Sequence, residues 1–220
     1  AKLGWSVAMA DVNGDGFDDA LIGIPAYENG QPDEGAAVLF LGSAAGLSAA
    51  PSWIEESNDV GASLGTLVVS LGDVNGDGYE DVALVGLGAF VFYGSATGLG
   101  AAADWSVRIQ PVDPTAGSVA GADVNGDGFD DLVLGNEGRQ RAGHASVYLG
   151  SASGLAADPV WSDTRGDPGD YFGSTVTSVG DMNGDGYEDI AITAPNLAAA
   201  GEPGGRTFVY AGSPRGPLPS

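Results

Sequence analysis

The sequence predicts an all-β protein assembled from four similar units, and three observations carry that prediction. First, one nine-residue stretch occurs four times with unchanged spacing: DVNGDGFDD at 11–19, DVNGDGYED at 73–81, DVNGDGFDD at 123–131 and DMNGDGYED at 181–189. Second, each copy runs directly into a short apolar, β-rich run: Ala20-Leu21-Ile22-Gly23-Ile24, Val82-Ala83-Leu84-Val85, Leu132-Val133-Leu134 and Ile190-Ala191-Ile192. Short apolar runs bounded by Gly or Pro read as buried strands. Third, 38 glycines and no helical apolar period leave little room for helices.

Taken in order, each unit reads as a four-stranded antiparallel meander. The first opens with Leu3-Gly4-Trp5-Ser6-Val7-Ala8, passes through its acidic loop into the second strand, and crosses a Gly-, Pro- and acid-rich connector at 25–34. A third strand follows at 36–41 and a more polar fourth at 52–56. The second unit repeats the plan with strands at 66–71, 82–85, 89–93 and 104–109 and a tight connector, Gly86-Leu87-Gly88. The third has a connector at 136–143 holding Arg139 and Arg141, then strands at 145–149 and around Val160-Trp161-Ser162. The fourth has strands at 174–179, 190–192 and 207–210, with a connector at 195–204. Between third and fourth strands a signature recurs, Gly42-Ser43-Ala44-Ala45-Gly46-Leu47, repeated at 94–99 and 150–155. The last copy, at 212–218, is interrupted by Pro214 and Pro217, so no fourth strand is expected after it and fifteen strands are counted. The first aspartates of the acidic loops lie 62, 50 and 58 residues apart. Periods of that length with four strands each predict the radially stacked blades of a β-propeller. The expected blades are residues 3–57, 64–110, 116–164 and 172–213, within one domain spanning 1–220.

The acidic loops carry the chemistry. Oxygen-bearing side chains fall at loop positions 1, 3, 5 and 9, and position 7 can add its backbone carbonyl. A hard cation such as calcium takes six to eight oxygens, at roughly 2.3–2.6 Å. The candidate ligands are Asp11, Asn13, Asp15, Phe17 and Asp19; Asp73, Asn75, Asp77, Tyr79 and Asp81; Asp123, Asn125, Asp127, Phe129 and Asp131; and Asp181, Asn183, Asp185, Tyr187 and Asp189. Glycines at positions 4 and 6 suit the left-handed turns that bring the oxygens inward. An acidic tight turn would use the same Asn-Gly and Asp-Gly pairs, but four identical spacings favour four calcium sites. The loops begin like EF-hand loops and then depart from them. Position 12, where an EF-hand needs a bidentate Glu, is Ile22, Leu84, Leu134 and Ile192. Position 8 (Asp18, Glu80, Asp130, Glu188) is expected to be solvated or to act behind the ligands.

Composition narrows the function further. Thirty acids against seven bases give a formal net charge of −23, and sixteen of those acids sit in the four loops. Four calcium ions would bring the charge to −15. What remains argues against nucleic acid and anionic membrane surfaces, because few bases are present to meet phosphates. The absence of cysteine removes disulfides, Cys-ligated zinc and thiol nucleophiles. No apolar run approaches the ~20 residues of a membrane-spanning helix. Calcium modules of this kind fit an extracellular or cell-surface setting, where ~10⁻⁴–10⁻³ M sites are filled.

Phe172-Gly173, then the acidic loop, then Ala194-Pro195 resembles the FG-GAP repeat of integrin α-subunit propellers and their bacterial relatives. The match is looser in the other units, with Leu3-Gly4, Leu64-Gly65 and Ala116-Gly117 at the Phe-Gly position. Gly23-Ile24-Pro25, Gly86-Leu87-Gly88 and Gly135-Asn136-Glu137 stand at the Gly-Ala-Pro position. The resemblance implies a propeller with structural calcium between the first two strands of each blade and partners at the opposite connectors. Family propellers usually have seven blades, so four repeats imply part of a larger propeller or completion by self-association. The expected function is a non-catalytic, calcium-stabilised recognition or adhesion module for a protein or glycan ligand. The alternative is a carbohydrate-binding, lectin-like propeller or the accessory domain of a secreted enzyme. His144 is expected to be structural rather than catalytic. Trp53, Trp105 and Trp161, equivalent on fourth strands, are expected to pack between blades rather than stack on sugars. Arg165-Gly166-Asp167 reads RGD, a tripeptide that integrins recognise, in a connector where Gly and Asp are expected anyway.

Overall fold

The computed structural model describes residues 2–108, 117–138, 142–197 and 204–218, and within them the chain is all β, with fifteen strands and no helix. Ile109, Ala116, Arg139, Arg141 and most of the connector at 195–204, all used in the sequence reading, lie outside the described residues. Strands β1 (Ser6–Ala10), β2 (Asp19–Ile24), β3 (Ala36–Phe40) and β4 (Trp53–Glu56) pair in that order as one antiparallel sheet. The same meander recurs in β5 (Leu67–Gly72), β6 (Asp81–Val85), β7 (Gly88–Phe92) and β8 (Trp105–Arg108), and in β9 (Ser118–Ala122), β10 (Asp131–Asn136), β11 (Gly143–Tyr148) and β12 (Trp161–Arg165). The fourth sheet has three strands, β13 (Thr175–Gly180), β14 (Asp189–Ala194) and β15 (Arg206–Tyr210). These are the antiparallel meanders expected of propeller blades, with the acidic loop always joining first to second strand.

The first strand of the first unit starts later than its apolar pattern suggests. Gly4, Gly65 and Gly173 adopt φ of +83°, +82° and +84°, and the strands β1, β5 and β13 begin two residues after them. Two sheets also carry a bulge the sequence did not announce. Register shifts between Ser70 and Gly72 in one and between Ser178 and Gly180 in the other, with Gly72 and Gly180 at positive φ.

The chain forms two compact units, Ala1–Asp73 with Asp77–Pro114, and Val74–Gly76 with Thr115–Ser220. In the first unit Ala10, Val12, Leu21, Ala37 and Leu39 interdigitate with Leu64, Val68, Val82, Leu84 and Phe92 of the next sheet. In the second unit Ala122, Val124, Val133, Ala145 and Val147 meet Phe172, Val176, Ile190, Ile192 and Tyr210. Small residues set the spacing between sheets. A Cβ on Gly23 would lie 2.0 Å from the Gly65 carbonyl oxygen, and one on Gly135 would lie 2.2 Å from that of Gly173. The glycine of the Phe-Gly position therefore presses its backbone onto the neighbouring sheet.

Trp53 and Trp161 pack as the sequence implied. Trp53 meets the Phe92 ring edge-on at 5.1 Å and its Nε1 donates to the Gly100 carbonyl at 2.7 Å. Trp161 meets Tyr210 at 4.8 Å. The first sheet differs from its counterparts in exposure: Leu3 and Val7 are 65% and 58% exposed, whereas Leu64, Val68, Phe172 and Val176, at the same repeat positions, are buried. In the fourth sheet Leu218 N–H donates to the Ala211 carbonyl, as Ser48 does to Leu41 and Ala156 to Leu149. The chain thus follows the same path beyond β15, but no fourth strand is present among the described residues. Nor is any helix among them long and apolar enough to cross a membrane.

Candidate metal centres

Each acidic loop is a coil of successive side-chain-to-backbone bonds. In the fourth, Asp181 Oδ1 accepts N–H bonds from Gly184 (2.7 Å) and Asp185 (3.1 Å), and Oδ2 accepts that of Gly186 (2.9 Å). Asn183 Oδ1 accepts the Asp185 N–H at 2.8 Å and Asp185 Oδ1 the Tyr187 N–H at 3.1 Å. The third loop repeats these bonds through Asp123, Asn125 and Asp127. The first repeats most of them through Asp11, Asn13 and Asp15. In the second, Asp73 takes the Asp77 and Gly78 amides and Asp77 that of Tyr79. The bonds from Gly186, Gly184 and Asp185 hold the exposed Asp181 carboxyl below its ordinary range against a smaller opposing effect of burial, so it stays ionised. The eight loop glycines at positions 4 and 6 all have φ between +68° and +92°.

Position 4 is glycine for a second reason. A Cβ on Gly14 would lie 2.8 Å from the Tyr79 ring, one on Gly76 2.4 Å from Phe129, and one on Gly126 2.8 Å from Tyr187. The position 7 aromatic of one loop is therefore packed under the turn of the loop before it. Backbone bonds reinforce this contact: Glu80 N–H donates to the Asp11 carbonyl and Glu188 N–H to that of Asp123. Two position 8 side chains are tied down too, since Ser70 Oγ donates to Glu80 and Ser178 Oγ to Glu188.

Position 9 departs most from a simple ligand. Asp19, Asp81 and Asp131 are fully buried and Asp189 nearly so. Asp131 Oδ2 accepts Val124 N–H at 3.0 Å and Oδ1 accepts Gly150 N–H at 2.8 Å. Asp19 does the same with Val12 and Gly42, and Asp189 with Met182 and Gly212. Asp81 takes the Gly94 N–H at 2.8 Å. The partner glycine always opens the Gly-Ser signature after the third strand, and a Cβ there would strike the position 8 carbonyl oxygen at 2.2–2.6 Å. The sequence showed both motifs; that they are bonded to each other follows only from the sheet geometry.

Among the described residues no group of three or more His, Cys, Asp or Glu side chains is gathered closely enough to hold a metal ion as it stands. The position 1, 3 and 5 oxygens are turned onto loop amides instead. A carboxylate oxygen that accepts one N–H keeps a second lone pair for a cation. Charge in the loops is unbalanced in the sense that a cation would correct. Burial pushes the Asp131 carboxyl up to about 7 despite the Gly150 and Val124 amides, and the charges of Asp127 and Asp123 push in the same direction. Asp19 is raised first by burial, against the Gly42 and Val12 amides, with Asp15 and Asp11 adding to it. In the first and third loops the charges at positions 1 and 5 therefore act against the carboxylate at position 9.

The other candidates take structural places. His144 Nδ1 and Thr164 Oγ1 share a hydrogen bond of 2.8 Å across paired strands. Arg165 of the RGD tripeptide is not offered to a partner. Its Nε donates to Asp163 at 2.6 Å, and its guanidinium lies 4.5 Å from the Phe208 ring centre and 5.5 Å from that of Tyr210.

The sequence profile described as FG-GAP repeat matches residues 3–40, 115–148 and 172–211, just over half of the chain. Integrin alpha-3 of Cricetulus griseus is 36% identical over 104 residues, covering 44% of this chain and 10% of that protein. Integrin alpha-8 of Gallus gallus is 37% identical over 87 residues, covering 37% of this chain and 8% of that protein. Integrin alpha-IIb of Homo sapiens is 33% identical over 200 residues, 87% of this chain and 14% of that protein. The chain thus spans a small part of the length of these relatives. Its repeated Phe-Gly turn, acidic loop and blade-forming strands agree with the profile, and the chain belongs to the FG-GAP repeat family.

Proposed function

We propose that the chain is a calcium-binding, non-catalytic recognition or adhesion module that works outside the cell or at its surface. The observation that carries the reading is the fourfold repeat of aspartates at positions 1, 5 and 9 with no basic side chain among the loop residues, the charges of positions 1 and 5 acting on position 9 in the first and third loops. Calcium would be held by the side chains at positions 1, 3, 5 and 9 and the position 7 carbonyl: Asp11, Asn13, Asp15, Phe17 and Asp19 in the first loop, and their counterparts in the other three. Bound there, the ion supplies charge neutralisation to a loop that already fastens neighbouring strands and turns. Its role is to stiffen the blade, not to activate a substrate.

The partner surface lies at the other ends of the strands. The connectors at 25–34, 86–88, 136–143 and 195–204 vary in length and composition while the acidic loops barely vary, and loops on a rigid scaffold are where binding is usually placed. The relatives are integrin alpha chains, which favours a protein as partner. A sugar-stacking role for Trp53 and Trp161 is disfavoured because both rings are spent on packing. Pairing of the β15 edge, which no strand among the described residues covers, with a strand from a larger propeller or a second copy belongs to the same reading.

The test is thermal unfolding of the calcium-stripped chain, with calcium or magnesium added back. Binding to the folded state alone stabilises by about 2.7 kcal/mol per site at a hundredfold excess over Kd. A midpoint that rises with calcium, and less with magnesium, supports the reading. Identical midpoints in all three conditions would make the loops ordinary acidic turns.

A further inference from the structure

The connector between β2 and β3 closes on itself, with Gly35 N–H donating to the Tyr27 carbonyl at 3.2 Å. Glu34 belongs to this loop and is fully buried. Its Oε1 accepts the Asn29 N–H. Its Oε2 is sealed from solvent and reached by no protein donor, and the same holds for the amide oxygen of Gln31, three residues earlier. A second carboxylate is fastened to the loop, since Asn29 Nδ2 donates to Glu56 Oε2 at 3.0 Å and the Tyr27 hydroxyl bonds to Glu56 as well. Among the described residues no basic side chain pairs with Glu34 or Glu56.

A buried carboxylate persists when it is paired or coordinates a metal, and Glu34 has only one amide. The unmet groups here are both acceptors, one anionic and one a neutral amide oxygen, which is the donor chemistry a hard cation selects. A bridging water could give a hydrogen to each oxygen but would leave the charge of Glu34 in place. The feature is confined to the first repeat. At the position of Glu34 the other units carry Gly86, Ala142 and Gly204, so it is not a by-product of the repeat plan.

We propose that the β2–β3 connector holds a hard cation through Glu34 Oε2 and Gln31 Oε1, at the end of the sheet opposite the acidic loop. The ion closes the connector around its charge and so presets a loop on the partner-facing edge. This site is separate from the four acidic loops and stands or falls apart from them.

The test uses the full chain, stripped of metal and titrated with calcium. Two readouts are taken: ions retained per chain after gel filtration, and the backbone amide resonance of Asn29. In the parent chain the Asn29 resonance shifts on calcium addition. Glu34→Gln abolishes that shift and retains one ion fewer, while Asp185→Asn, in an acidic loop, leaves the shift intact. If the acidic loops bind no calcium at all, the Asn29 response remains and the two readings part. Should Glu34→Gln fail to fold, Gln31→Ala decides, with a response at Asn29 weakened roughly tenfold or more in calcium concentration. An Asn29 resonance indifferent to calcium in the parent chain, an ion count unchanged by Glu34→Gln, or a response unchanged by Gln31→Ala overturns the proposal.

Discussion

Asp131 and Gly150 are joined by a buried hydrogen bond of 2.8 Å, the glycine N–H donating to the carboxylate. The bond ties the end of the acidic loop to the turn after the third strand of the same sheet, and the other carboxylate oxygen holds Val124. Asp131→Ala would leave the buried Gly150 amide without an acceptor, while Val124 N–H would keep its bond to the Ala122 carbonyl. An unmet buried group costs about 1–3 kcal/mol, so the variant should lose about that much, with calcium or without it. Asp127→Ala, whose carboxylate lies in an exposed part of the loop, should lose stability mainly when calcium is present. Urea unfolding of both variants in the two conditions checks this. Equal behaviour of the two variants would mean that position 9 is a ligand and nothing more.

Gly126 and Gly184 occupy the same loop position and should tolerate alanine unequally. Both have positive φ, +70° and +78°, so each Ala variant carries the left-handed penalty of about 1–2 kcal/mol. A Cβ on Gly126 also lies 2.8 Å from the Tyr187 ring, whereas one on Gly184 meets nothing within 4 Å. Gly126→Ala should therefore be the more destabilising, by about 1 kcal/mol or more from forced repacking. Equal losses in denaturant unfolding would show that the aromatic moves aside freely.

These two residues also mark how far the sequence could be read. The loop glycines and their turn conformation were legible, because Asn-Gly and Asp-Gly are local signals. Strand order was legible too, since each apolar run was bounded by turn residues and the units repeat. What stayed hidden is contact between segments far apart in sequence. Nothing local in Gly126 announces Tyr187, and nothing in Asp19 announces Gly42. The buried place of Glu34 was hidden for the same reason, since an acid in a Gly- and Pro-rich connector reads as solvated. The first strand of the first unit was read too early because Leu3 continues the apolar pattern, while the chain turns at Gly4. The RGD tripeptide was legible as letters, but its arginine is committed to Asp163.

Asp163 gives a pH-dependent test in the second unit. Burial raises its carboxyl, but hydrogen bonds from the Tyr210 hydroxyl (2.6 Å) and Arg165 outweigh burial and hold it below the ordinary aspartate range. A group with a lowered folded pKa stabilises above its unfolded value, about 3.9, and loses that contribution as pH falls through the folded value. Tyr210→Phe removes the hydroxyl and keeps the ring against Trp161. It should cost about 1–3 kcal/mol at neutral pH, as loss of a hydrogen bond to a charged group. The difference between parent and variant should shrink below about pH 4. A difference that is constant from pH 7 to pH 3 would place the effect in ring packing instead.

Asp185 and Glu188 stand three residues apart in the fourth loop, and only the first is assigned to calcium. Asp185 Oδ1 accepts the Tyr187 N–H. Glu188 is turned away onto Ser178 Oγ at 2.7 Å. Removing Glu188 costs one partly exposed hydrogen bond, about 0.5–1.5 kcal/mol, and should leave calcium affinity nearly unchanged. Removing Asp185 deletes an anionic ligand, so Asp185→Ala should weaken the calcium-dependent rise in unfolding midpoint far more than Glu188→Ala does. In the calcium-stripped chain the order should narrow or reverse, because Asp185→Ala deletes one of the loop's four negative charges. Paired melts of both variants, stripped and calcium-saturated, decide the matter. If Asp185→Ala keeps the full calcium response, position 5 is not a ligand and the loop assignment fails.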